Sequence, residues 1–235
     1  VASMPDNRMP GSNTISVIIP TFNEEARIGA TLANVLPQQP AEVLVVDSGS
    51  TDATASIAAA TAGVQLLQAA KGRARQMNAG AAAAGGDWLL FLHADTLLPV
   101  GALERIAALP DGVLAGAFRH RFSGDDWRLR LISCLDNTRS RLTKIAFGDQ
   151  AMFVRQTLFE RLGGFPVCEV MEDVAFGELL RRATTPVLLC EEAITDSRKF
   201  EQMGVWTSLL RVGVLLACHR LRLPLVGRSF FNEIR

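Results

Sequence analysis

The sequence predicts an α/β protein built on a doubly wound, mostly parallel central sheet flanked by helices. Short apolar runs rich in β-branched residues alternate with helix-period segments at intervals of about two to three dozen residues. Each run ends abruptly in polar residues. The run at 88–92, within D-W-L-L-F-L-H-A-D-T-L-L (87–98), is apolar throughout, as a strand buried on both faces requires. In open α/β sheets ligands bind beyond the carboxyl ends of the strands. The polar residues gathered there are therefore the candidate site.

The elements follow in order. I-S-V-I-I-P (15–20) is a β-branched first strand, and T-F-N-E turns out of it. Ala26, Ile28, Leu32 and Val35 recur at roughly helical spacing until Pro37 stops the helix. E-V-L-V-V (42–46) is a second strand that delivers Asp47 at its end. S-G-S-T-D (48–52) is turn chemistry, and an alanine-rich helix covers 53–62. A short third strand spans 64–67. The loop Lys71-Gly72-Arg73-Ala74-Arg75 opens a helix running through Ala84, and Gly85-Gly86-Asp87 leads into the strand at 88–92. Right-handed crossovers then bring Asp47, the 71–75 loop and Asp95 to one edge of the sheet.

After Pro99 the pattern loosens. A strand with one exposed face is expected at 113–122, a basic amphipathic helix at 126–144 and a short strand at 150–154. A helix at 156–162 is closed by Gly163-Gly164-Phe165-Pro166. The helix at 172–182 has an acidic first turn, as the macrodipole favours, and 205–223 forms a basic amphipathic helix. No internal repeat or low-complexity linker divides the chain. The expected organisation is a disordered leader at 1–13, one domain at 14–203, and a C-terminal helix and tail at 204–235 packed on the domain or on a partner.

Composition narrows the function classes. The 24 basic and 24 acidic residues balance, so nucleic acid is not an expected partner. The balance hides a split: residues 1–118 carry 6 basic and 10 acidic side chains, and the remainder 18 and 14. The four cysteines, Cys134, Cys168, Cys190 and Cys218, form no C-x-x-C pair. That spacing suits a reducing, cytoplasmic compartment and small buried apolar roles rather than zinc or disulfides. No stretch is apolar enough to span a membrane, since Arg211, His219, Arg220 and Arg222 interrupt the best candidate.

Four groups could carry chemistry. Asp47 either accepts hydrogen bonds from a base or ribose or caps the helix after it, for which Asp52 is the better candidate. The cations of the 71–75 loop, just before a helix N-terminus, match a diphosphate; the alternative is a solvated basic turn. His93 and Asp95 either bind a divalent cation, Mn²⁺ or Mg²⁺, or Asp95 caps the turn before Pro99. Glu172-Asp173 either takes a proton from an attacking hydroxyl or complements the helix dipole. There is no G-x-G-x-x-G after the first strand and no G-x-x-x-x-G-K-[ST] anywhere, which disfavours dinucleotide and P-loop chemistry.

The joint pattern is more specific than its parts. S-V-I-I-P-T-F-N-E-E (16–25), V-V-D-S-G-S-T-D (45–52), G-R-A-R-Q-M-N-A-G (72–80) and L-L-F-L-H-A-D-T (89–96) occur in order. G-D-Q-A-M-F-V-R (148–155), G-G-F-P (163–166) and M-E-D-V (171–174) follow. Over roughly residues 15–200 this resembles the inverting family 2 glycosyltransferases of GT-A fold, and within them the bacterial radical-SAM/selenodomain-associated branch. The resemblance implies transfer of a sugar from a nucleotide-diphosphate donor to an acceptor hydroxyl. It implies that Pro20, Thr21 and Glu24 contact the nucleotide, that Asp47 holds base and ribose, and that Arg73 and Asn78 lie over the nucleotide. Asp95 matches the metal-binding last acid of D-x-D, and His93 replaces the first, removing one negative charge. Asp173 matches the catalytic base, with Glu172 beside it. Gly148, Asp149 and Gln150 are expected to line the sugar or acceptor pocket.

The rival readings are a sugar nucleotidyltransferase and a non-catalytic nucleotide-sugar binding module. The first wants a glycine-rich loop where T-F-N-E-E stands, and the Glu172-Asp173 pair argues against the second. For the 205–223 helix the alternatives are a homodimer contact, packing on its own domain, or peripheral attachment to the inner face of a membrane.

Overall fold

A computed structural model of the chain describes residues 13–168 and 170–221. Its centre is an eight-stranded sheet of order β3-β2-β1-β4-β7-β6-β8-β5. The strands are β1 (Ile15–Thr21), β2 (Glu42–Asp47), β3 (Val64–Gln68), β4 (Trp88–Phe91), β5 (Thr96–Leu97), β6 (Ala115–Phe122), β7 (Phe153–Arg155) and β8 (Val187–Thr195). β1 lies parallel between β2 and β4, and β2 pairs in parallel with β3. The parallel half of the expected sheet is thus present.

Beyond β4 the sheet is mixed. β4 is not parallel on both sides, because β7 pairs with it antiparallel. β6 is antiparallel to β7 and parallel to β8, and β8 closes antiparallel on β5. Period-two alternation sends side chains of the same strands into two cores. Val17, Ile19, Val43, Val45, Trp88 and Leu90 face one core with Ile28 and Leu32 of α1 (Glu25–Val35). Ile18, Leu44, Val46, Leu89 and Phe91 face the other, against Ala74, Met77 and Ala81 of α3 (Arg73–Ala83). Gly80 makes that approach close: a Cβ there would meet Ile18 Cγ2 at 2.5 Å and Val46 Cγ2 at 3.0 Å. On the second face also pack α6 (Gln156–Leu162) and α7 (Glu172–Ala183). The helix α2 (Thr54–Ala60) bridges β2 and β3.

Several expectations are corrected here. Residues 1–12 of the proposed leader lie outside the described residues, but Asn13 is held, donating to the Ala107 carbonyl and accepting from Arg155. The helix α4 (Ala102–Ala107) and α8 (Arg198–Met203) were not anticipated, nor was β8. β8 carries Glu191 and Glu192 mid-strand, which breaks its apolar pattern; Arg105 lies 3.3 Å from Glu191, and Arg119 and Arg121 each lie 3.7 Å from Glu192. β6 is buried over most of its length rather than half exposed. Cys134, Cys168 and Cys190 are exposed, not buried. The basic helices are present as α5 (Trp127–Thr143) and α9 (Val205–Leu221), and residues 222–235 lie outside the described residues. Among the described residues no helix is long and apolar enough to cross a membrane.

Candidate active site

A cleft opens beyond the carboxyl ends of β1, β2 and β4, where the strand order turns from 2-1 to 4. One wall is polar and comes from the front of the chain: Thr21, Glu24, Ser48, Lys71, Arg73, His93 and Asp95. The opposite wall comes from the back half, with Phe122, Phe147, Val170, Met171, Phe200 and Val212 around Asp149, Glu172 and Asp173.

Two interlocked loops build the polar wall. Asn23 stands in the left-handed region at φ 54°, where its Oδ1 accepts from Thr51 N–H at 2.8 Å. In return Asn23 N–H donates to Ser50 Oγ, Glu24 N–H to Thr54 Oγ1 and Glu25 N–H to Asp52. The N-cap position of α2 is Ala53, and Asp52, one residue before it, accepts from Thr54 N–H. Gln76, 5 % exposed, donates from Nε2 to the carbonyls of Thr21 at 2.7 Å and Val46 at 2.8 Å. It ties α3 to the ends of β1 and β2, a role no sequence motif signals.

Asp47 sits behind this wall. It is 1 % exposed and accepts from Gly49 N–H at 2.8 Å, from Ser50 N–H at 2.9 Å and from the Ser50 hydroxyl. Burial raises its pKa, but the bonds from Ser50, Gly49 and Thr21 outweigh it and hold the carboxyl below its ordinary value. Asp47 thus ties the turn after β2 rather than capping α2, and its neighbour Ser48 lines the cleft. Asn78 is likewise off the cleft. It donates to the Phe165 carbonyl and accepts from Phe165 N–H, fixing a ring that packs 4.4 Å from Phe176 and 4.8 Å from Phe91. Gln150, fully buried, accepts from Ser140 Oγ and Phe147 N–H and donates to the Phe118 carbonyl. These three polar side chains are spent on the scaffold.

Of the three loop cations, Lys71 and Arg73 face the cleft. The Lys71 ammonium lies 4.1 Å over the Phe22 ring, and Arg73 Nε is 3.6 Å from Glu172 Oε1, linking the two walls. Arg75 folds back on the Lys71 carbonyl at 3.1 Å. His93-Ala94-Asp95 is pinned by Thr31 Oγ1, which donates to the Ala94 carbonyl at 2.6 Å, and by Asp196 N–H on the Asp95 carbonyl at 3.0 Å. Asp196 lines the cleft too, and it is paired with Arg27 and Arg198.

Met171 is in the left-handed region at φ 64°, a strained conformation that recurs at functional sites. It starts α7 so that Glu172 is 2 % exposed while Asp173 lines the cleft. Gly148 N–H donates to Asp173 Oδ2 at 2.7 Å. The His93 imidazole packs on the same glycine: a Cβ at Gly148 would meet His93 Nε2 at 2.5 Å. The Gly148 turn therefore joins His93 to Asp173.

From the cleft-lining Asp149 a titratable cluster runs inward to His120 and Asp136, which stand in no motif. His120 Nε2 is 3.5 Å from Asp149 Oδ2. Burial, then the charge of Asp173, raises Asp149 to about 7. Burial, then Asp149, raises Asp136 to about 6; burial lowers His120 to about 4. A carboxyl raised from 3.8 to about 7 adds stability that is full below the lower value and lost as pH rises through the higher. Asp149→Asn removes that loss. In protein without added ligand, the variant should melt about 2–4 °C above the parent at pH 8, for about 1 kcal/mol, with a smaller difference at pH 5. Scanning fluorimetry that finds the variant less stable at pH 8 would contradict a proton held on Asp149.

Comparison with known proteins bears on this arrangement. Residues 16–163 match the family described as "Glycosyl transferase family 2". The chain belongs to glycosyl transferase family 2. A "PGL/p-HBAD biosynthesis glycosyltransferase" of Mycobacterium bovis is 34 % identical over 164 residues, covering 64 % of this chain. The chain spans only 62 % of that relative's length. A solved "Mannosyltransferase PcManGT from Pyrobaculum calidifontis in complex with GDP-Man and Mn2+" is 26 % identical with a TM-score of 0.63, covering 77 % of this chain and 56 % of its own. Glucosyl-3-phosphoglycerate synthase from Mycobacterium tuberculosis shares the fold at 21 % identity and TM-score 0.61, covering 92 % of this chain and 81 % of its own. The sheet of this family 2 chain is therefore the GT-A sheet expected. The family match ends before α7, so Glu172 and Asp173 rest on the geometry alone.

Proposed function

We propose that the protein transfers a sugar from a nucleotide-diphosphate donor to an acceptor hydroxyl, with inversion at the anomeric carbon. One observation carries this reading. Diphosphate-matching cations (Lys71, Arg73) and an oriented carboxylate (Asp173) occupy opposite walls of one cleft at the sheet's carboxyl edge. Family membership supports it, as does the GDP-Man and Mn²⁺ held by the mannosyltransferase from Pyrobaculum calidifontis.

The donor set fits a shared cation rather than a caged one. Asp95 offers carboxylate oxygens and His93 an imidazole nitrogen, and among the described residues no group of three His, Cys, Asp or Glu could close on a metal. Asp95 and His93 would hold Mn²⁺ or Mg²⁺ jointly with the donor. When bound, the cation neutralises charge on the diphosphate. In the reaction, Asp173 takes the acceptor O–H proton as that oxygen bonds to the anomeric carbon. The bond from that carbon to the diphosphate oxygen breaks, and Lys71 and Arg73 stabilise the departing charge. Gly148 N–H holds Asp173 by Oδ2 and Val174 N–H holds it by Oδ1, which fixes the orientation of the carboxylate. The apolar wall from Phe122 to Val212 suits an acceptor with an apolar portion.

A melting-temperature screen of nucleotide-sugars with and without Mn²⁺ tests the donor and the cation together. A donor at a hundredfold excess over its Kd adds about 2.7 kcal/mol, a rise of roughly 5–10 °C. The expected pattern is one nucleotide-diphosphate sugar that shifts the protein, and shifts it further with Mn²⁺. No shift with any donor, with or without metal, would overturn the proposal.

A further inference from the structure

The outward faces of α5 and α9 carry apolar side chains that the cleft does not use. On α5, Trp127, Leu131, Leu135 and Leu142 are 65, 40, 52 and 77 % exposed. On α9, Trp206, Leu210 and Val214 are 50, 69 and 43 % exposed. Within each helix they fall at the three-to-four-residue spacing of one face. The two rows meet where the Trp127 and Trp206 rings stand edge to face at 6.3 Å. The opposite faces bury Leu129 and Ile132 against Val205, with Leu209 packed on them. Exposed apolar residues occur singly on any surface, but a contiguous double row marks an interaction site.

The charges bordering the rows say what kind of partner fits. By helical position, Arg130 and Arg141 run along one edge of the α5 row and Arg128, paired with Asp126, along the other, while Arg139 is turned inward onto Asp136 and the Phe147 ring. Residues 125–144 and 205–221 together hold seven Arg and Lys against three Asp, and α9 has no acidic residue. Each helix has 17 residues, about 26 Å of rise, short of the roughly 30 Å hydrocarbon core. An apolar face edged by arginines with tryptophan at its margin is the composition of a helix lying in a membrane interface.

We infer that the α5–α9 face docks the protein on an anionic lipid surface, with Trp127 and Trp206 at the headgroup boundary. The inner face of α9 places Val212 on the cleft wall, so docking would set α9 between the bilayer and the apolar side of the cleft, with the cleft one helix away from the lipid. That consequence rests on the glycosyl-transfer reading; the docking itself does not.

Flotation of the full chain with vesicles of phosphatidylcholine, alone or with about 30 % phosphatidylglycerol, is the direct test. Flotation is expected on the anionic vesicles and should weaken as salt rises. Of the three tryptophans, Trp88 is fully buried, so a blue shift in emission reports Trp127 and Trp206. The double variant Trp127→Ser/Trp206→Ser should lose about tenfold or more in vesicle binding. Its melting temperature and donor-induced shift should stay unchanged, while Trp127→Phe/Trp206→Phe retains most binding. A failed donor screen beside intact flotation would remove the reaction and leave the docking. No flotation on anionic vesicles, or undiminished flotation of the serine variant, would overturn the inference. A dimer in light scattering that the serine variant dissociates, without flotation, would overturn it in favour of a second copy.

Discussion

Asp173→Asn is expected to lower transfer by about two to four orders of magnitude and to leave donor binding within about threefold. The asparagine is isosteric and can still accept the Gly148 N–H that now meets Asp173 Oδ2 at 2.7 Å, giving up only the bond from Val174 N–H to Oδ1, so the turn beside it should keep its shape. What it loses is the ability to take a proton. The measurements are single-turnover transfer and calorimetric titration of the donor on the same preparation. Lost binding with lost turnover would make Asp173 a donor ligand. Normal turnover would remove it from the chemistry altogether. Glu172 cannot substitute for it, being buried and directed at Arg73.

The largest stability effect is expected at Trp88. Its side chain is fully buried, its ring meets Phe153 edge to face at 5.6 Å, and the Arg155 guanidinium stacks 4.2 Å from its centre. Trp88→Ala should cost about 3–5 kcal/mol and lower the melting temperature by roughly 10 °C or more. Trp88→Phe separates packing from polarity. Among the described residues the indole Nε1 is buried with no hydrogen-bond partner. Phenylalanine keeps the edge contact and deletes an unpaired donor, so its cost should stay near 1 kcal/mol. An alanine variant melting within about 2 °C of the parent would contradict this account of the core, as would equal losses for both variants.

The front half of the fold was legible because its physics is local. β2 and β4 are apolar runs bounded by polar residues, β1 is broken only by the buried Ser16, and the strand-end rule alone brings Lys71, Arg73, His93 and Asp95 together. The back half depends on partners distant in sequence. β8 is a strand because β6 pairs with it and Arg105, Arg119 and Arg121 meet its two glutamates; by itself V-L-L-C-E-E-A-I-T has no clean period. Motif position also says nothing about which way a side chain turns. Asp47, Asn78 and Gln150 stand in site motifs, yet each spends its hydrogen bonds on backbone or hydroxyl groups of the scaffold. Gln76 stands in the 72–80 motif without being singled out, and His120, Asp136 and Asp196 stand in no motif, yet all surround the site. Sequence patterning ranks residues by type and spacing, and the last three are isolated polar residues until the chain folds.

The two walls of the cleft have different origins. The cationic wall is assembled from one unbroken run of chain, from Thr21 to Asp95, locked by hydrogen bonds between neighbouring loops. The facing wall gathers single contributions from β6, the Phe147 turn, the start of α7, α8 and α9. The first is inherited as a block or lost as a block. The second can be rebuilt one element at a time without disturbing the sheet edge. Homologues that keep residues like 21–95 are therefore free to diverge in what they bring to the other side. A fragment cut at residue 203 would retain the whole sheet and still lack Val212, one panel of that wall.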